Sequence, residues 1–307
     1  MQYGHFDNAS REYVIDRVDL PVSWTNYIGT RDMYGVFNHT AGGYIVNGSS
    51  EYHRWPGELT GNMLLTRILG ARLVVAPRNA EKYPLMKEQL MAVMEEEAEK
   101  DRAKGEKPYI IPLGGSVPIG MMGYYECACE LIEQFREQNI TNPSIVCAAG
   151  SLGTYKGLVL GFKNEGVTDV HIYGGTDGLM KPEVIERVKG ELNELKEYYH
   201  LTCEDFTDDD VNIYTDFCSG AYNTLSSEIR AQVIRVARAE GIFLDPTYTG
   251  KVFNALCGLI DNGTIKKGSN VVFIHSGGVP GIFTPRHRKA FEEDLMDGVE
   301  IKNFGDD

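Results

Sequence analysis

Apolar and polar positions follow two different rhythms along the 307-residue chain. Up to about residue 50, the apolar positions come in short aromatic and β-branched pieces: Tyr13-Val14-Ile15, Trp24 to Ile28, Tyr34 to Phe37 and Gly43 to Val46. Gly, Asn, Asp and Pro separate them. β-Branched and aromatic side chains suit a pleated surface and the separators suit turns, so the pattern predicts strands joined by short connections. From Gly57 onward, longer helical periods alternate with compact apolar runs. Helices are expected over Asn62–Leu69, Tyr83–Arg102, Gly120–Gln138, Lys156–Asn164, Pro182–Tyr199, Ser226–Gly241 and Gly250–Gly263. Strands are expected over Ala71–Ala76, Pro108–Pro112, Ser144–Ala148, Asp169–Tyr173 and Asn270–His275. Such alternation implies parallel strands covered by helices, an open α/β layer. The charged run Glu95 to Lys107 reads as a solvated helix face and end, and the acidic tail Phe291 to Asp307 is expected to fray at its end.

Composition narrows the function classes. A net charge of −14, from 30 Lys+Arg against 44 Asp+Glu, repels nucleic acid and acidic membrane surfaces. No run approaches the roughly 20 apolar residues of a membrane span, and the polar, acidic start does not read as a signal peptide, so a cytoplasmic protein is expected. Six cysteines without CxxC spacing fit reduced thiols, and no metal site is indicated. One gap is odd. The first lysine in the chain is Lys82.

Three loops carry candidate chemistry. Ala148-Ala149-Gly150-Ser151-Leu152-Gly153-Thr154 lies between an apolar strand and a helix. Glycines there admit an anion, a helix start offers N–H groups, and Ser151 and Thr154 add hydroxyls. The same turn also serves strand-to-helix packing alone. It lacks the GK[ST] ending of a nucleoside-triphosphate loop, and DVHIY runs into Gly174-Gly175-Thr176 where a dinucleotide site needs an acidic residue. A second loop, His275-Ser276-Gly277-Gly278, follows the last strand. In an open α/β sheet both loops leave the carboxyl edge where ligands sit. By itself His275 reads as a satisfied strand-end histidine. The third, Leu244-Asp245-Pro246-Thr247-Tyr248-Thr249-Gly250-Lys251, presents Tyr248 and Thr249 at a helix start, where a phenol or hydroxyl can meet an anion. Taken alone, Tyr248 reads as a packed aromatic.

In this order, the segments Gly61–Ala71 (GNMLLTRILGA), Lys107–Leu131, Ser144–Gly161 (SIVCAAGSLGTYKGLVLG), FLDPTYTGK and NVVFIHSGGVPGIF resemble the D-cysteine desulfhydrase and aminocyclopropane-carboxylate deaminase family of pyridoxal-phosphate enzymes. The resemblance covers about Gly57 to Phe291. It implies a tryptophan-synthase-β-like fold, the type II pyridoxal-phosphate architecture, with a truncated small domain. The expected division is a β-rich segment at 1–55, a small-domain remnant at 56–107 and a large α/β domain at 108–307. By resemblance, Gly150, Ser151, Gly153 and Thr154 hold the cofactor phosphate. Ser276, with Gly277 beside it, faces the pyridine nitrogen, and Tyr248 and Tyr222 are the active-site tyrosines. Thr249 stands where the deaminases carry glutamate, which points to the desulfhydrase branch with neutral hydroxyls at the ring. The implied reaction is α,β-elimination from a small D-amino acid to keto acid, ammonia and sulfide, in a homodimer.

The same resemblance exposes a departure. The family's N-terminal GGNK-type segment, whose lysine forms the Schiff base and moves the proton, has no counterpart here. Lys82, Lys156 and Lys251 are the substitutes to weigh. Residues Phe6 to Arg54 instead resemble the opening of cellobiose phosphorylases and related carbohydrate phosphorylases, through REYVI, a PxxWxNYIG pattern and NxTAGGY. The chain thus reads as two partial families joined near Tyr52 to Gly57. It would be an impaired lyase, an inactive remnant that still binds a phosphorylated ligand, or a phosphorylase-like fragment.

Overall fold

The computed structural model describes residues 59–75, 79–83, 85–176, 182–218, 224–300 and 302, and before residue 59 the backbone of six strands. These are β1 (Gly4–Asp7), β2 (Glu12–Ile15), β3 (Thr25–Gly29), β4 (Met33–Asn38), β5 (Gly43–Asn47) and β6 (Ser50–Tyr52). β1 pairs antiparallel with β2, and β3, β4 and β5 form an antiparallel meander, as the early aromatic pieces predict. Helix α1 (Gly61–Ile68) follows, and β7 (Arg72–Val74) pairs parallel with β6. By density of contacts, residues 1–59 with 63–77 make one unit, and 60–62 with 78–307 a second.

The second unit holds helices α2 (Met86–Arg102) and α3 (Pro118–Gln138), strand β8 (Ser144–Ala148), helix α4 (Gly153–Asn164) and strand β9 (His171–Gly175). It continues through α5 (Pro182–Tyr198), β10 (Ile213–Tyr214), α6 (Ser227–Glu240), α7 (Thr249–Asp261), β11 (Val271–Phe273) and α8 (Pro285–Leu295). The expected open parallel sheet is present, in the order β10-β9-β8-β11. Alternate residues of β8 serve opposite faces: Ile145 and Cys147 join the core under α3, α4 and α5, whereas Val146 joins the core under α7. All three are fully buried, which explains why a central parallel strand reads as an unbroken apolar run. α3 ends at Asn139, whose left-handed φ of 55° stops the helix, and α6 ends likewise at Gly241.

α3 and α4 lie side by side and run the same way. Gly157 faces Met121 and Tyr124, and four residues on Gly161 faces Tyr125 and Ala128. A Cβ at Gly157 would stand 2.4 Å from the Met121 carbonyl, and one at Gly161 2.6 Å from Ala128 Cβ. Glycine spaced by four therefore forms a flat stripe on which α3 sits. The far end is clamped by Tyr125, whose Oη donates to Glu165 Oε1 at 2.7 Å and accepts from Asn164 Nδ2 at 2.7 Å. At the sheet edge, Lys163 Nζ meets Asp210 Oδ2 at 2.8 Å. Burial pushes the Asp210 carboxyl up, yet the Lys163 ammonium and the Thr207 N–H and hydroxyl outweigh it and hold it below the usual carboxylate range.

Three expectations need correcting. Pro108–Pro112 is not a strand: it precedes a 3-10 turn at Leu113–Gly115, and Tyr109 and Ile111 are exposed. Prolines at both ends remove two ladder donors, so an apolar run finds no partner there. β9 is displaced by two residues and includes Gly174 and Gly175, which pair with Cys147 and Ala148. A Cβ at Gly174 would meet Ala149 and Tyr155 within 3 Å, so glycine there answers to packing rather than to a loop. α4 begins at Gly153, three residues before Lys156, placing Gly153 and Thr154 in its first turn. Of the acidic tail, residues 291–295 close α8, which starts with Pro285 at its first position and buries His287 and Phe291, while residues 303–307 lie outside the described residues.

Two measurements test this packing. Gly157→Ala is expected to destabilise the chain by roughly 1–3 kcal/mol through overpacking. Gly190→Ala on α5, where a Cβ meets nothing within 4 Å, is expected to stabilise it by up to about 1 kcal/mol. Urea unfolding followed by circular dichroism reads both. Asp210→Asn is expected to cost on the order of 1 kcal/mol at pH 7. Because the native carboxyl titrates below its unfolded value of about 4, that cost is present above pH 4 and disappears as pH falls through the depressed native value.

Candidate active site

The phosphate-loop candidate leaves β8 at its carboxyl edge. Ala149 N–H donates to Gly175 O at 2.8 Å, which ties the loop base to β9. Leu152 then adopts a left-handed φ of 68° as the N-cap of α4, and no side chain caps that helix. Its first-turn N–H groups therefore face the loop without an intrahelical partner. Gly150 and Ser151 are exposed, Gly153 is buried and Thr154 half-buried.

A second helix start meets this one. α3 opens at Pro118, and again no side chain caps it. Just before it, Ser116 Oγ donates to Ser151 Oγ at 2.7 Å. Gly114 has φ of +79°, and a Cβ on it would lie 2.7 Å from Ser151 Cβ. A Cβ on Gly153 would stand 2.6 Å from Ser116 Oγ. The positive ends of two parallel helices thus converge on a hydroxyl pair, with glycine wherever a side chain would fill the gap. Beneath the loop, burial pushes the Cys147 thiol up to about 12 and the Tyr155 phenol well above its usual range. Neutral donors make this cradle, and its chemistry fits a phosphate dianion.

The ring-loop candidate leaves β11 beside it. Phe273 pairs with Val146, and Ile274 N–H donates to Val146 O at 2.9 Å, so the two loops depart from neighbouring strands. His275 is satisfied on both ring nitrogens. Nε2 meets Phe243 O at 2.9 Å and Nδ1 accepts from Gly277 N–H at 3.2 Å, which selects the Nε2–H tautomer. The ring acts as a loop clamp, in keeping with the reading of a satisfied strand-end histidine. Ser276 is exposed beyond it, and Gly277 and Gly278 have φ of 91° and 95°.

The tyrosine turn is organised by Asp245, buried to 1 % exposure. Its Oδ2 accepts from Thr247 N–H and Tyr248 N–H, and its Oδ1 accepts from the Thr249 N–H and hydroxyl, all at 2.7 to 2.9 Å. Tyr248 is 41 % exposed, whereas Thr249 is buried. The Thr249 hydroxyl has given its one proton to Asp245 and accepts from Asp245 N–H at 2.8 Å, so it has none to offer a ligand. Tyr222 lies outside the described residues. Among the lysines, Lys156 Nζ is paired with Glu191 Oε2 on α5 at 2.8 Å, Lys251 is buried in α7, and Lys82 is exposed over the Tyr83 ring.

Three contributors have no role that residue type alone assigns: Gly114, Ser116 and Asp245. Gly114 and Ser116 carried a signal, a Gly-Gly-Ser triplet ahead of a helix-starting proline. Asp245 carried a weaker one, the Asp-Pro-Thr turn itself.

Comparison with known proteins bears on this arrangement. A Pyrococcus abyssi protein, assigned provisionally as a 1-aminocyclopropane-1-carboxylate deaminase, is 36 % identical over 231 residues, 73 % of this chain and 64 % of that protein. The D-cysteine desulfhydrase of Serratia proteamaculans is 32 % identical over 190 residues, 59 % of this chain and 53 % of that protein. The chain thus spans less than two thirds of the length of these relatives. The crystal structure of an ACC deaminase homologue superposes with a TM-score of 0.62 at 32 % identity, covering 80 % of this chain and 68 % of that one. That likeness confirms the expected α/β architecture with a parallel sheet. Residues 51–277 match a sequence family described as pyridoxal-phosphate dependent enzymes, which leaves the first 50 residues outside the match. The chain belongs to the family of pyridoxal-phosphate-dependent enzymes.

Proposed function

We propose that the chain holds pyridoxal phosphate by its phosphate, without attachment to a lysine, and is a D-cysteine desulfhydrase-type lyase of reduced turnover. The observation that carries this reading is the pair of uncapped helix starts at Ser116 and Ser151. Backbone N–H groups of the first turn of α4, with the hydroxyls of Ser151 and Thr154, bind the phosphate; Gly150 and Gly153 let it approach. When bound, the cofactor supplies an electron sink for the α-carbon of an amino acid. Ser276 offers a neutral hydroxyl to the ring, and Gly277 lets the backbone turn beneath it. Tyr248 presents its phenol at the mouth, with Tyr222 as the second tyrosine by resemblance. Thr249 serves by shaping the turn.

The substrate in this reading is a small D-amino acid with a thiol on its β-carbon, which leaves as sulfide. Proton removal at the α-carbon is the weak step. The family's lysine base has no counterpart before Lys82, and the buried Lys156 ammonium is held by Glu191. Loss of such a base costs typically 10²–10⁴-fold in rate. A cytoplasmic homodimer is part of the same reading; among the described residues no helix is long and apolar enough to cross a membrane. For residues 6 to 54 the phosphorylase-like resemblance stands as a reading of the sequence alone. The join near Tyr52 to Gly57 makes the chain a chimera.

Calorimetry of the purified chain with pyridoxal phosphate should show binding, and borohydride treatment followed by mass spectrometry under denaturing conditions should leave the protein mass unchanged. A pyridoxyl adduct on any lysine would overturn the absence of attachment. Sulfide release from D-cysteine should be detectable and slow; binding with no release at all would leave a phosphorylated-ligand binder in place of a lyase. Gly153→Ala, which pushes on the Ser116 hydroxyl, should weaken pyridoxal phosphate about tenfold, a loss of roughly 1.4 kcal/mol, with the circular dichroism spectrum retained. Unchanged affinity would mean that the phosphate sits elsewhere.

A further inference from the structure

Asp245 is an unusual group for its place. It is a fully buried carboxylate whose four partners are neutral: three successive backbone N–H groups and one hydroxyl. Burial of a charge is tolerated only when hydrogen bonds replace its water, and four short bonds on two oxygens do so. The carboxylate also has a neighbour outside its own turn. A Cβ on Gly278 would lie 2.6 Å from Asp245 Cγ and 2.8 Å from Oδ1, so the ring-side loop rests directly on the charged group. Gly278 is in the left-handed region at φ of +95°, a conformation in which glycine is at ease. A second tie joins the same two segments, from His275 Nε2 to Phe243 O, two residues before Asp245.

We infer that Asp245 is a positioning residue that couples the tyrosine turn to the ring-side loop, so that Tyr248 and Ser276 are set against a ligand by one buried carboxylate. It touches no ligand itself. Its effect is to fix where two chain segments meet, one through hydrogen bonds and the other through contact, in a place with no room for rearrangement. The inference rests on the reading of Tyr248 and Ser276 as ligand-facing for its functional meaning, but the coupling is a property of the chain alone.

Hydrogen exchange read by mass spectrometry on the full chain without ligand tests the coupling. Asp245→Asn leaves one acceptor oxygen in place of two and orphans part of the turn. Amides of Thr247 to Thr249 and also of Ser276 to Gly281 should exchange at least about tenfold faster, with Gly153 to Asn164 unchanged. Acceleration confined to Thr247 to Thr249 would reduce Asp245 to a local turn cap and overturn the inference. Should Asp245→Asn unfold the chain, Gly278→Ala decides. It presses on the carboxylate from the other side, and faster exchange at Thr247 to Thr249 supports the coupling, whereas wild-type exchange there refutes it. Pyridoxal phosphate calorimetry on the same proteins separates the two readings. Coupled exchange in a chain that binds no pyridoxal phosphate would refute the proposed function alone; undiminished affinity in a variant with coupled exchange would show that the coupling does not position the ligand.

Discussion

Two parallel helices that start at the same place govern the rest of this structure. α3 and α4 run side by side in one direction, so their dipoles reinforce at the ends instead of cancelling, and both positive ends meet at Ser116 and Ser151. That arrangement favours an anion between the ends. It exists because Gly157 and Gly161 keep α4 flat, letting α3 approach closely enough for backbone and Cβ atoms to touch. Gly153 belongs both to this stripe and to the cradle. The same spacing of four residues therefore builds the helix contact and clears the space for a ligand oxygen.

What the chain retains and what it lacks follow from where its parts come from. In the proposed reading the phosphate end is made by neutral donors on the sheet unit, and all of its residues lie after Lys107. The ring side is likewise local, formed by the loop after β11 and the turn held by Asp245. Proton transfer is different, because it needs a titratable group delivered by a segment that has no counterpart in the first 81 residues. Cys147 and Tyr155 under the loop cannot replace it, since burial holds both in the neutral form at physiological pH. In the proposed reading binding and chemistry are thus separable, the first resting on helix geometry and the second on one missing amine.

Much of the fold was legible in the sequence because the central sheet is buried on both faces. SIVCA reads as a strand since every one of its side chains must be apolar or small, and the helices around it show their own period. Legibility fails where an apolar run lacks a neighbour, as at Pro108–Pro112, and where glycines that end the apolar run are packed strand residues, as at Gly174 and Gly175. β10, only two residues long, leaves no period to read, and α8 buries two of its eleven residues, too few for a clear stripe. In the site, the glycine loops were visible from residue type, whereas Ser116 and Asp245 act through contacts 35 and 33 residues away that no local pattern displays. Thr249 shows the reverse: its residue type suggested a ligand contact, and its hydroxyl is used inside the turn.

The central claim is that the converging helix starts form a phosphate site that works without a lysine. Phosphorus-31 magnetic resonance of pyridoxal phosphate mixed with the chain observes that site directly. The account predicts a single bound resonance, displaced from the free ligand and insensitive to pH across the second phosphate ionisation, because the helix starts hold the dianion. A resonance that stays at the free position and titrates as in water, in a folded chain at saturating concentration, would contradict it.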